Sequence, residues 1–139
     1  MLPFFLSLLF FCGAISCKEK RSDIPDVYVD IVLDLNDPLY SDLLVPNAYL
    51  LITGGVNGIL VYHSANDEMY AFERTCPHDP DCGIVEVDEK DMTAVDTQCC
   101  QSAFSMLIGG AVSRGPSRFP LKNYRCQYYP ELRQVRIRN

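Results

Sequence analysis

The residues best suited to chemistry sit in two short loops, 75–82 (TCPHDPDC) and 96–104 (DTQCCQSAF), which hold four of the seven cysteines and one of the two histidines. Cys76 and His78 are two residues apart on a segment stiffened by Pro77 and Pro80. A thiolate and a neutral imidazole so placed can face one metal centre, because iron and zinc accept both. The second loop adds Cys99 and Cys100. Residue types leave three uses open: ligands of an iron centre, a structural zinc site from Cys76, His78 and two of Cys82, Cys99 and Cys100, or disulfides that close the loops on one another. Adjacent cysteines rarely bond each other and no Cys-x-x-Cys is present, which speaks against thiol oxidoreductase chemistry. His63 closes an apolar strand and reads as a strand-end residue, while Cys126 lies outside both loops and reads as a buried thiol. There is no Ser-His-Asp set, carboxylate pair or phosphate-binding glycine loop, so a catalytic reading has no residues to stand on, and the chain is read as not an enzyme.

Elements that could position these loops follow from periodicity. Residues 28–35 alternate, with Val29, Ile31, Leu33 and Leu35 on one side and Asp30 and Asp34 on the other, the signature of a half-buried strand that only Val32 breaks. Asp37-Pro38 reads as an N-cap with proline in the first helical position, giving a brief helical turn to about Leu44, ended before Pro46. Strands separated by Gly-Gly and Asn-Asp turns are then expected at 49–53, 59–63 and 69–74. Further strands are expected at 84–87, 94–96, 104–107, 112–114 and 135–138. No long amphipathic helix, repeat or low-complexity tract interrupts them. The fold class is therefore all-β, a small antiparallel β sandwich or barrel, with the cysteine loops joining its strands.

The N-terminus bears on compartment. Residues 2–11 are almost wholly apolar, far short of the ~20 residues that cross a bilayer, and Lys18-Glu19-Lys20-Arg21 closes the stretch, so residues 1–16 read as a signal peptide. Ala14-Ile15-Ser16-Cys17 resembles a bacterial lipobox, in which Cys17 becomes the first mature residue and takes the lipid. Met1-Leu2-Pro3 lacks the usual basic residue, which leaves a non-lipidated secretory signal as the alternative. Residues 17–27 would be a polar tether and 28–139 one domain. The net charge of -6 and a sequence pI near 4.7 disfavour nucleic acid as a partner. The expected location is the bacterial cell envelope, periplasmic or surface, with the membrane as partner through the lipid anchor.

The loops carry a family resemblance. Cys76-Pro77-His78, the second cysteine loop ending Ser102-Ala103-Phe104, Gly109-Gly110, and the stretch 115–121 (GPSRFPL) together resemble a Rieske domain of the sort carried by exported, Bacteroidetes-like lipoproteins, over roughly 48–124. That family's first loop reads Cys-x-His, its second Cys-x-x-His-Gly-Ser-x-Phe, and a proline-rich third loop covers a [2Fe-2S] cluster held by two Cys and two His. The resemblance implies a Rieske-like fold, the cluster as cofactor, electron transfer as function and a redox protein as partner. Cys76 and His78 match the first loop. Anchored on Ser102 and Phe104, the second loop has Cys100 at the histidine position, Thr97 at the cysteine position and Gln101 at the glycine. Using Cys99 as ligand instead puts Ser102 at the histidine position. The implied ligand set of Cys76, His78, Cys100 and Cys99 or Thr97 is thus incomplete by the family's own pattern, and any potential would be lowered by the thiolate at Cys100. The bc-type branch adds a disulfide between the loops, near Cys82 and Cys99, and such a bridge would stabilise by ~3 kcal/mol. Cys76 and Cys100 would then face each other, as ligands or as a second disulfide. The alternative to an electron carrier is a cluster-free, disulfide-stapled structural or interaction lipoprotein.

Overall fold

The computed structural model describes residues 23–139, so the expected signal peptide and lipid-bearing Cys17 lie outside the described residues. Strands β1 (Asp30–Asp34), β2 (Tyr49–Ile52), β3 (Ile59–His63), β4 (Met69–Glu73), β9 (Asn123–Tyr129) and β10 (Gln134–Arg138) form one antiparallel sheet in the order β1-β10-β9-β4-β3-β2. Strands β5 (Val85–Asp88), β6 (Thr93–Asp96), β7 (Ala103–Ser105) and β8 (Ala111–Arg114) form a second sheet in simple meander order. The small sheet is thus inserted between β4 and β9 of the large one. Both cysteine loops belong to it, one entering at β5 and one joining β6 to β7.

Strands β3 and β4 explain why the two sheets hold together. Their residues alternate between two cores, as period-2 geometry requires. Ile59, Val61, Met69 and Ala71 pack with Val29, Leu33, Leu43, Val135 and Ile137, whereas Leu60, Tyr62 and Phe72 pack with Val85, Ala94, Phe104, Met106 and Leu121. β3 is buried at all five positions, so its sequence is continuously apolar up to His63. At roughly 25 cal/mol per Å² of apolar surface removed from water, these side chains supply most of the driving force. Gly110, at φ 79°, is required here, since a Cβ would lie 3.0 Å from both Leu121 and the Phe72 ring.

Several expectations change in detail. The helical turn is a 3₁₀ segment, Ser41–Leu44, preceded by turns, with Asp37 Oδ1 accepting the Leu39 N–H at 2.9 Å. The strand expected at 104–107 ends at Ser105 and passes into a second 3₁₀ segment, Met106–Ile108, closed by Gly109 at φ 58°. β9 was not expected as a strand, yet it joins β10 to β4 in the middle of the large sheet. In it Tyr124 is buried and Cys126 and Tyr128 are half-buried, while Asn123, Arg125, Gln127 and Tyr129 face out. That alternation is strand periodicity, written in Tyr and Cys rather than aliphatic residues. His63 ends β3 as expected, buried, with Nδ1 2.8 Å from the Leu43 carbonyl and Nε2 3.1 Å from Asp67.

A buried carboxylate fixes the exit from β4. Glu73 is fully buried and accepts N–H groups of Val56 (2.7 Å), Asn57 (3.0 Å) and Thr75 (3.0 Å), with hydroxyls of Thr75 (2.8 Å) and Tyr124 (2.7 Å). Burial pushes its pKa up, but the Tyr124 hydroxyl, the two loop amides and Thr75 outweigh this and hold it below the usual carboxylate value. Asn57 Nδ2 donates to Thr75 Oγ1 at 2.9 Å, so the residue immediately before Cys76 is held from two sides.

Candidate functional site

Cys76 leaves β4 just beyond this anchor and turns into the second core, where it is fully buried. Its loop closes on itself: the Cys76 N–H donates to the Gly83 carbonyl at 2.8 Å, and Gly83 N–H to the Asp79 carbonyl at 2.8 Å. Thr75 and Ile84 then pair across the loop neck. Gly83 has no room for a side chain, because a Cβ there would sit 2.6 Å from the Cys76 Cβ and against an Asp96 carboxylate oxygen. Burial pushes the Cys76 thiol up to about 12, and neighbouring Cys100 adds to this, against the opposing pull of the Asp79 and His78 backbone N–H groups.

The second loop is organised by Asp96, a residue that the sequence reading passed over. It ends β6 fully buried. Its Oδ1 accepts the N–H groups of Gln98 (3.2 Å) and Cys99 (3.0 Å), and its Oδ2 the N–H of Cys100 (3.2 Å). The carboxylate therefore gathers three successive loop amides, which satisfy it as a buried acceptor. Burial raises its pKa, but the Cys100 thiol, the Cys100 and Cys99 amides and the Cys76 thiol together hold it below the usual value. Cys100 Sγ lies 3.1 Å from Asp96 Oδ2, 3.0 Å from Ser102 Oγ and 3.5 Å from Cys76 Sγ. Ser102 in turn accepts the Ser117 N–H at 2.9 Å, so the third loop is fastened over the second.

Cys82 and Cys99 form a disulfide with their Cα atoms 6.3 Å apart, which joins the two loops covalently and withdraws both sulfurs from ligation. Zinc sets that use Cys82 or Cys99, and an iron set that uses Cys99, lose those donors. His78 and Thr97 are both exposed, whereas Cys76, Asp96 and Cys100 offer ligand atoms that all lie within 4.8 Å of one another. Gln101 has φ 61°, the left-handed conformation that favours glycine, which agrees with its alignment to the family's glycine and so with Cys100 at the histidine position. Cys126 is half-buried in β9, and burial pushes its thiol up to about 12.

These residues do not fit a two-cysteine, two-histidine [2Fe-2S] cluster. The position of the second cysteine carries an exposed threonine, a poor iron ligand, and that of the second histidine carries a thiol in place of an imidazole. What converges instead is a pair of free thiols and one buried carboxylate.

No family model matches the chain, and no curated protein matches it in sequence. Among solved structures it is similar to the cyanobacterial plasma membrane Rieske protein PetC3 from Synechocystis PCC 6803, at 19% identity and TM-score 0.55, over 82% of this chain and 100% of that one. A putative NADH-dependent nitrite reductase small subunit from Mycobacterium tuberculosis also matches, at 17% identity and TM-score 0.49, over 82% of this chain and 97% of that one. The likeness to the first of these shows the fold to be Rieske-like. Among the described residues no helix is long and apolar enough to cross a membrane.

Proposed function

We propose that this chain is an exported bacterial lipoprotein, tethered through lipid on Cys17, whose Rieske-like domain is a disulfide-stapled, non-catalytic binding module and not a carrier of the family's cluster. The observation that carries this is the state of the ligand positions. Cys100 is packed against Cys76 and Asp96, Thr97 is an exposed hydroxyl, and the loops are held in shape by the Cys82–Cys99 bridge and by Asp96. Groups other than the family's cluster ligands thus brace both loops. A second reading, electron transfer through a [2Fe-2S] cluster with an unusual ligand set, is favoured by the surviving Cys76-x-His78 and by the second free sulfur at Cys100.

Iron and acid-labile sulfide, measured with a visible spectrum on the full chain purified without oxygen, separate the two. The expected result is colourless protein with neither element at stoichiometric level. Stoichiometric iron and sulfide, lost on Cys76→Ser or Cys100→Ser, would establish the electron carrier instead. Retention in the membrane fraction, abolished by Cys17→Ser, tests the tether.

A further inference from the structure

Asp96 is held by amide and thiol donors. It is a fully buried carboxylate, and among the described residues no Lys, Arg or His pairs with it, the ion pairs being His63–Asp67, Lys122–Asp26 and Arg136–Asp30. Buried charges are ordinarily paired with an opposite charge or bound to a metal. Beside its three amide donors, the groups turned toward it are the sulfurs of Cys76 and Cys100, and the ligand atoms of all three residues lie within 4.8 Å of one another. Both remaining sulfurs of the loops are locked in the disulfide, so these two thiols are the ones free to ligate. Cys100 is only half-buried, which gives an ion a way in beside the enclosed Cys76.

We propose that Cys76, Asp96 and Cys100 form a binding site for a single thiophilic divalent cation of the Zn²⁺ class, held by two thiolates and one carboxylate oxygen with a fourth position open on the Cys100 side. Binding breaks two S–H bonds, makes two metal–sulfur bonds and one metal–oxygen bond, and releases two protons to solvent with no change of oxidation state. Two thiolates with an oxygen ligand suit zinc better than magnesium or calcium, which take oxygen alone. The set differs from the zinc sets read from the sequence, because it recruits Asp96 and leaves out Cys82 and Cys99. It rests on the reading that no two-iron cluster fills the same place.

The test is a Co²⁺ titration of the full chain, reduced only enough to keep Cys76 and Cys100 as thiols, stripped with a chelator and kept without oxygen. The expected result is one Co²⁺ per chain, a thiolate-to-cobalt absorption band, two protons released per ion, and displacement by Zn²⁺. Cys76→Ser and Cys100→Ser should abolish the band, whereas Cys126→Ser should leave it unchanged. Asp96→Asn should weaken binding by at least the roughly 10–100-fold seen when groups that only support a metal's ligands are removed. Circular dichroism identifies any variant that fails to fold, and half-exposed Cys100 is the decisive position if Cys76→Ser does. No thiolate band, or a band that survives Cys100→Ser in folded protein, overturns the site while the cluster-free reading stands. Stoichiometric iron and sulfide in the untreated protein overturns both. A Cys76–Cys100 disulfide that persists under those conditions overturns the metal site and leaves a doubly stapled domain.

Discussion

Replacing Glu73 tests the claim that one buried carboxylate sets the geometry of the first loop. In Glu73→Ala five donors lose their acceptor, and three of them, the N–H groups of Val56, Asn57 and Thr75, are fixed in the backbone and cannot turn away. A buried donor left unpaired costs about 1–3 kcal/mol. With some relief from entering water, the three together should cost about 3–6 kcal/mol, a large part of the roughly 5–15 kcal/mol that holds such a domain folded. Glu73→Gln keeps one acceptor oxygen but sets an amide against a fixed N–H, so about 2–3 kcal/mol is expected. Tyr124→Phe removes one bond to the charge, worth about 1.5–3 kcal/mol. Urea unfolding followed by circular dichroism reads all three as shifted midpoints at unchanged slope. The pH dependence adds a sign. The folded carboxylate is held below its ordinary value, so its stabilisation is present above the unfolded carboxylate range and is lost as pH falls through the folded value. Glu73→Gln should therefore flatten the acid limb of the stability curve. A loss under about 1 kcal/mol for Glu73→Ala, with amide exchange at Val56, Asn57 and Thr75 still slow, would refute the reasoning.

Other predictions concern the loops. Cys82→Ser with Cys99→Ser should cost about 3 kcal/mol by the chain-entropy relation, for the 17-residue separation the bridge closes, read as a lower urea midpoint in oxidised protein. Gly83→Ala should displace the first loop from Asp96, visible as faster alkylation of Cys76 than the near-zero rate expected of a buried thiol whose pKa is pushed up to about 12. Gln101→Gly should raise stability by about 0.5–1 kcal/mol by removing a left-handed side chain, and a lower melting temperature would contradict that account. Asp96→Asn should lose the acid-sensitive stability that a carboxylate held below its ordinary value contributes above the unfolded range and forfeits as pH falls through its folded value.

Much of the scaffold was legible because its signals are local. The strands beginning near Asp30, Tyr49, Ile59 and Met69 show alternating or fully apolar runs between turn residues, and the structure places strands there. β9 was missed because Tyr124, Cys126 and Tyr128 make a weak apolar stripe between charged and amide neighbours, and tertiary pairing with β4 and β10 supplies what propensity does not. The site was legible in its cysteines and opaque in its carboxylates. Glu73 and Asp96 act mainly on backbone N–H groups, which every residue has and no sequence pattern displays. The one signal available was an acidic residue at the end of a short strand, two to four residues ahead of the loop amides that it caps.

The disulfide and the Asp96 amide cage also bear on how such a domain can change over generations. Where ligands alone hold a loop, losing one ligand loses the loop, and every intermediate sequence is selected against. Here the loop backbone is fixed by a covalent bond and a carboxylate at positions other than 78, 97 and 100. Of these, the exposed positions 78 and 97 are therefore released from structural duty and can drift between imidazole, thiol and hydroxyl while the fold persists. A library randomised at 78 and 97 should return mostly folded chains, whereas one randomised at 82, 96 and 99 should not, and the first is where new chemistry could be selected.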